Sequence, residues 1–160
     1  MSEQGTGSAY TAGDPKDKQE KDENLFNDVE EHLRQFNIPD DEIEKEYWAI
    51  QDALDAAKKK HEPKQAVGVI YIPTCKFIFV AHTLSPSDFM RQSKAMADAK
   101  AKNMSVSVAT FVQSTLDYPR YNVGELKEGT KDLLGGHILA LVTQISRFNG
   151  YSDEGEIKNY

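Results

Sequence analysis

Two short apolar runs, Val67 to Ile72 and Cys75 to Val80, stand on either side of Pro73-Thr74 and limit the possible folds more than any other stretch of the chain. In the first, Val67, Val69 and Tyr71 alternate with Gly68, Ile70 and Ile72; in the second, Cys75, Phe77 and Phe79 alternate with Lys76, Ile78 and Val80. β-Branched and aromatic residues fit a pleated, half-buried surface, so both runs are expected as strands. The two alternating sets of the first run are both largely apolar, which predicts a strand covered on two faces. With Pro73-Thr74 as the turn, the stretch reads as a two-stranded antiparallel hairpin over about 67–81. Such a hairpin is marginal alone in water. It must dock on helices or add to the sheet edge of another chain.

Helical patterns flank it on both sides. Leu25, Phe26, Val29, Leu33 and Phe36 recur at helical intervals, with acidic residues early and Arg34 late, as the helix dipole favours. Ile38-Pro39 breaks the chain, and Pro39 followed by Asp40, Asp41 and Glu42 opens a second helix. Its seam of Ile43, Tyr47, Ile50, Leu54 and Ala57 is heptad-like but short, which favours packing within the chain over a coiled coil with a partner. Trp48 lies beside it, and Pro63 ends the helix after Lys58 to His61.

Beyond the hairpin, Ser85 is the expected cap of a helix with Pro86 in its first position and Asp88 three residues past the cap. Phe89, Met90, Ser93, Met96 and Ala97 mark one face of this helix, which should end near Lys100. The next segment, restarting at Asn103-Met104-Ser105, is rich in β-branched residues, but Val108, Phe111, Val112 and Thr115 favour a helix, stopped by Asp117-Tyr118-Pro119. Asn122 caps a helix expected through Leu126 to Leu134. Gly135-Gly136 then separates it from an amphipathic helix carrying Ile138, Leu141, Val142, Ile145 and Phe148. The fold class is therefore α+β and mostly helical, a β-hairpin packed with several amphipathic helices.

Four regions follow: a polar tail over 1–22 too poor in apolar residues to offset its backbone entropy, a helical hairpin over 24–60, a hairpin-plus-helices core over 65–150, and a fraying tail over 151–160. Charge is divided unevenly among them. Up to Gln65 there are 17 acidic and 9 basic residues, and from Ala66 onward 9 acidic and 10 basic, within a net charge of −7. An acidic chain without a basic stripe lacks what holds a phosphate backbone, so nucleic acid is not an expected partner. No apolar run approaches the about 20 residues of a membrane span, and the start lacks a signal peptide's apolar middle, which points to a soluble cytoplasmic protein.

The chemical motifs are weak. Gly124 to Lys131 resembles a phosphate loop, but it has Thr130 then Lys131 where that loop needs Lys followed by Ser or Thr, and no strand precedes it. His32, His61, His82 and His137 fall in no metal-ligand spacing and read as surface or boundary residues. A single cysteine, Cys75, excludes an internal disulfide and a cysteine zinc site. Cys75 and His82 could meet across the hairpin as a nucleophile–base pair, but nothing in the sequence supplies oxyanion donors or an orienting acid. The carboxylates Asp40, Asp41, Glu42, Glu44 and Glu46 read as a solvated first turn rather than a cation site. The expectation is a binding protein, not an enzyme, with no catalytic residues, cofactor or metal.

The order of features carries a family resemblance. A lysine-rich lead-in from Lys58 to Lys64, the paired runs from Val67 to Ala81, and Leu84-Ser85-Pro86-Ser87-Asp88-Phe89 opening a helix resemble the small tail assembly chaperones of tailed phages. The stop at Ser114 to Pro119, followed by the helices between Asn122 and Gly150, is similar to the later part of such proteins. The resemblance spans about residues 65–150 and rests on pattern and order, without an invariant motif. It implies a protein that binds the long, helical tape measure protein and keeps it soluble before the tail tube polymerises around it. Phe89, Met90, Met96 and Phe111 are the candidate client-binding residues, since adaptable apolar surface suits an apolar helical client. The alternatives are a virion structural component, such as a tail completion or tube-associated subunit that forms homo-oligomers through its hairpin, and a small regulatory binding protein.

Overall fold

A computed structural model describes residues 20–151 of the chain. The tail expected over 1–22 lies outside them up to residue 19, and the C-terminal tail lies outside them from residue 152. The described elements run α1 (Glu23–Arg34), α2 (Asp40–His61), β1 (Val67–Tyr71), β2 (Ile78–His82), α3 (Pro86–Asp98), α4 (Ala101–Thr115), β3 (Leu116–Tyr118), α5 (Val123–Glu128) and α6 (Gly135–Phe148). The chain is mostly helical with a small antiparallel sheet, the α+β class its patterning predicts. It divides into two units, Met1–Ala49 and Ile50–Tyr160, with the boundary inside α2.

In the first unit, the Asp22 carboxylate caps α1 by accepting from the backbone N–H groups of Asn24 and Leu25 at 3.1 and 3.2 Å. These are two of the donors that a helix start leaves without an intrahelical partner. The turn after α1 places Asn37 at φ 59°, the left-handed conformation that asparagine tolerates best after glycine. Tyr47, fully buried on α2, receives the ring of Phe26 edge-on at 5.3 Å, and its hydroxyl accepts from the Asp22 N–H at 2.8 Å. Trp48 meets Tyr47 from the side at 5.0 Å, partly covered, as a residue beside the seam should be. Of the heptad-like positions, Ile43, Tyr47, Ile50 and Ala57 are buried and Leu54 is half-buried.

The second unit is built on a three-stranded sheet in the order β1-β2-β3, one strand more than the sequence pattern predicts. Asp117-Tyr118 does end α4, and with Leu116 it also pairs with β2. The central position explains the burial: Ile78, Phe79, Val80 and Ala81 of β2 are covered on both faces, whereas β1, at the edge, is mostly half-buried. The strand expected to be covered twice is thus the second of the hairpin, not the first. Phe79 and Ala81 join Ala109, Phe111 and Val112 of α4, Leu126 of α5, and Ile138, Leu141 and Ile145 of α6 in one core.

The helix starts follow the sequence. Ser85 caps α3, its Oγ accepting from the Asp88 N–H at 3.2 Å, with Pro86 in the first turn. Asn122 and Glu125 form a reciprocal capping box at α5, each side chain accepting from the other's backbone N–H at 2.7 and 2.9 Å. Boundaries differ at α4, which begins at Ala101 before the expected restart at Asn103, and at α5 and α6. α5 stops at Glu128 because Gly129 adopts φ +73°, and a Cβ there would stand 2.7 Å from the carbonyl oxygen of Leu133. Gly135-Gly136, expected as a spacer, forms the first turn of α6, whose entry is held by His137: its Nδ1 accepts from the Leu134 N–H at 2.9 Å.

Candidate functional site

His61 is the last residue of α2, where the helix dipole favours basic groups, and His82 is the last residue of β2. The hairpin brings them together. Val67 pairs with His82, and beyond that pair Thr83 donates its N–H to the Ala66 carbonyl at 2.9 Å while its hydroxyl accepts from the Ala66 N–H at 3.0 Å. Closing the hairpin this far returns residue 82 to the connection that leaves α2, and the two imidazole rings stack with centroids 3.7 Å apart and planes at 19°.

Asp117 completes the group through an irregularity of the sheet. Val80 pairs with Tyr118, but the next residue, Ala81, pairs with Leu116, so Asp117 is the extra residue of a β-bulge. A bulge redirects the side chain it carries. One carboxylate oxygen of Asp117 accepts from His82 Nδ1 at 2.8 Å and the other from His61 Nε2 at 3.1 Å. The opposite nitrogen of His61, Nδ1, lies 3.1 Å from the side-chain amide oxygen of Gln65, and the Gln65 N–H is itself fixed on the His61 carbonyl at 3.0 Å. The three side chains are only 10%, 12% and 14% exposed for His61, His82 and Asp117. Burial pushes the Asp117 carboxyl up, but the hydrogen bonds from His82 and His61 outweigh it and hold the group below the usual carboxylate range.

This constellation corrects the expectation that every histidine is an isolated surface or boundary residue. No spacing along the chain reveals it, because each member comes from a different element. The one legible signal is the hairpin itself, which must bring its second strand's end back near residue 67 and hence near His61. Asp117 had no signal at all, because its position depends on a bulge. His32 and His137 lie apart from the group, the former tilted against Phe36 at 5.5 Å and the latter at the start of α6.

The Cys75–His82 pair does not form. Cys75 sits in the loop at the far end of β2 from His82, its Sγ directed at the Asp132 carbonyl oxygen at 3.9 Å. Burial pushes its thiol up, away from the thiolate a nucleophile requires.

The four candidate client-binding residues separate into different environments. Phe111 is fully buried in the core, and Phe89 and Met96 are partly buried against it. Met90 is 64% exposed. The inward side of α3 carries Phe89, Gln92, Ser93 and Met96, so Met90 and Ala97 fall off the face to which their spacing assigned them. Other large apolar side chains are open at Met104 and Val106 of α4 and at Leu139 of α6.

Comparisons with protein-family models, curated proteins and solved structures return no match to this chain. Among the described residues no helix is long and apolar enough to cross a membrane.

Proposed function

We propose that this chain is a non-enzymatic binding protein of the host cytoplasm, a phage tail assembly chaperone that keeps a helical tape measure protein soluble until the tail tube forms around it. The observation that carries this reading is the condition of α3, a thirteen-residue helix in which no residue is fully buried. Phe89 and Met96 rest on the core while Met90 stands in solvent, and α4 beside it opens Met104 and Val106. A helix so lightly covered gains by burying apolar area against a partner, at about 25 cal/mol per Å². Methionine adapts to irregular apolar surfaces, which suits a client recognised along its length rather than at one motif. The acidic charge concentrated before Gln65 would keep the loaded complex in solution.

Co-expression with a tape measure fragment tests the reading. Soluble client that co-elutes with the chain on sizing, and that precipitates when Met90 is replaced by Asp, is the expected result. An insoluble client with no complex rejects it.

A virion structural role draws on a separate observation. β1 is an edge strand of the sheet, and an edge can be extended by a strand from a neighbouring subunit. Stable homo-oligomers with the amides of Val67–Tyr71 protected from exchange would favour it over the chaperone.

A further inference from the structure

The geometry points to a metal site: His61 Nε2, His82 Nδ1 and the Asp117 carboxylate bind one divalent transition-metal ion of the zinc class. Among the described residues this is the one group of three potential ligands whose ligand atoms all lie within 4.8 Å of one another. Two imidazoles and one carboxylate form a donor set suited to zinc, and three protein ligands leave a fourth position for water or another small ligand.

Three features make the site more than a chance cluster. The nitrogen–oxygen separations of 2.8 and 3.1 Å need to open by only a few tenths of an ångström to reach the about 3.3–3.6 Å between neighbouring ligands on a tetrahedral ion with bonds of about 2.0–2.2 Å. Asp117 is aimed by a bulge, a device that re-directs one side chain at the cost of a ladder hydrogen bond. Finally, both ring nitrogens of His61 face oxygen acceptors, Gln65 Oε1 on one side and Asp117 Oδ1 on the other. A neutral imidazole has one N–H and satisfies one of them. With its N–H at Nδ1 on Gln65, His61 presents the Nε2 lone pair toward the Asp117 carboxylate, where an ion would be shared by both. Gln65 then holds the Nδ1–H of a ligating histidine, the outer hydrogen bond that metal-bound histidines regularly make.

Loading the ion has a structural consequence. A ring nitrogen's lone pair lies in the plane of its ring, so two rings stacked at 3.7 Å and 19° direct their lone pairs side by side rather than at one point. Binding must fan the rings apart while Asp117 stays between them. In the metal-free protein the stacked rings hydrogen-bond to Asp117, and the ion takes the place of those hydrogen bonds.

The test is calorimetric titration of the metal-stripped full chain with zinc chloride at neutral pH, alongside His82→Gln, Asp117→Asn and Gln65→Ala. Saturable uptake of one zinc per chain is expected, with Kd raised more than tenfold by His82→Gln or Asp117→Asn and by about tenfold by Gln65→Ala. A second measurement on the wild-type chain covers the case of a variant that fails to fold: imidazole nitrogen spectra should show zinc displacing the resonances of His61 Nε2 and His82 Nδ1. Absence of saturable uptake, uptake unchanged in folded variants, or zinc shifts confined to His32 and His137 overturns the site.

Discussion

The rings of Phe89 and Phe111 meet edge to face, with centroids 6.0 Å apart and planes at 64°. This contact joins α3 to α4 and divides the four candidate client-binding residues by role. Phe111, with no exposure, is a core residue, and Phe111→Ala should cost about 3–5 kcal/mol. Met90 has little to lose on folding, so Met90→Ser should stay within about 0.5 kcal/mol of the parent. Urea denaturation of both variants measures this. A Met90→Ser protein that keeps its stability and loses a client would place the contact on the open side of α3.

Asp117 should make the acid limb of the stability curve steeper. Its folded carboxyl lies below the ordinary value, because the hydrogen bonds from His82 and His61 outweigh the burial that opposes them. A depressed carboxyl contributes stability that is fully present above the unfolded value of about 3.9 and is lost as pH falls through the folded value. The Asp117→Asn chain lacks that contribution at every pH. Urea midpoints of the two proteins should therefore converge as pH is lowered from about 4.5, the wild type losing more. Parallel curves in that range would show that the carboxylate gains nothing from its two histidines.

The hairpin shows how far the sequence reaches and where it stops. Alternation located both strands, but a two-residue turn at Pro73-Thr74 would set Val67 opposite Val80, whereas Val67 pairs with His82. Pro73 explains the difference. It follows Ile72, whose carbonyl accepts from the Cys75 N–H at 2.9 Å, and proline's φ is fixed negative, while the tight turns that match strand twist need a positive φ at that place. The chain takes a longer loop through Phe77, and the register moves by an even step, which preserves the faces. That step brings His82 to the end of the ladder beside His61. On α3 the spacing was legible, but the angle of the stripe was not: Met90 and Met96 both fit an apolar face, and only packing on Phe111 decides which turns inward. Caps were legible because they depend on three or four adjacent residues, as at Ser85 and Asn122. The histidine–aspartate group was not, because it requires the hairpin register, the end of α2 and a bulge together.

The capping box at α5 should be measurable despite the helix's six residues. Asn122→Ala removes an acceptor from the Glu125 N–H and leaves the Glu125 carboxylate as half of a pair. A loss of about 0.5–2 kcal/mol is expected, with Asn122→Asp close to neutral because its oxygen restores the bond. Thermal melts of the two variants against the parent provide the comparison. Equal losses would mean that the side chain matters for something other than capping.

Gly68 decides how closely α6 approaches the sheet. A Cβ built on it would stand 3.1 Å from Cζ of Phe148 and 3.3 Å from Cε1, tighter than ordinary contact, so the ring of Phe148 lies on the space that a side chain would fill. Gly68 pairs with Ala81, a buried residue of β2, which places the contact beside the central strand. Gly68→Val gains β-propensity but must displace a stiff aromatic ring anchored at the end of α6. Overpacking of this kind costs about 1–3 kcal/mol, more than the roughly 1 kcal/mol span of strand propensities, so the variant should be less stable than the parent. The double variant Gly68→Val with Phe148→Ala removes the clash, and its loss should be smaller than the sum of the two single losses. Additive losses in urea denaturation would mean that Phe148 does not rest on Gly68.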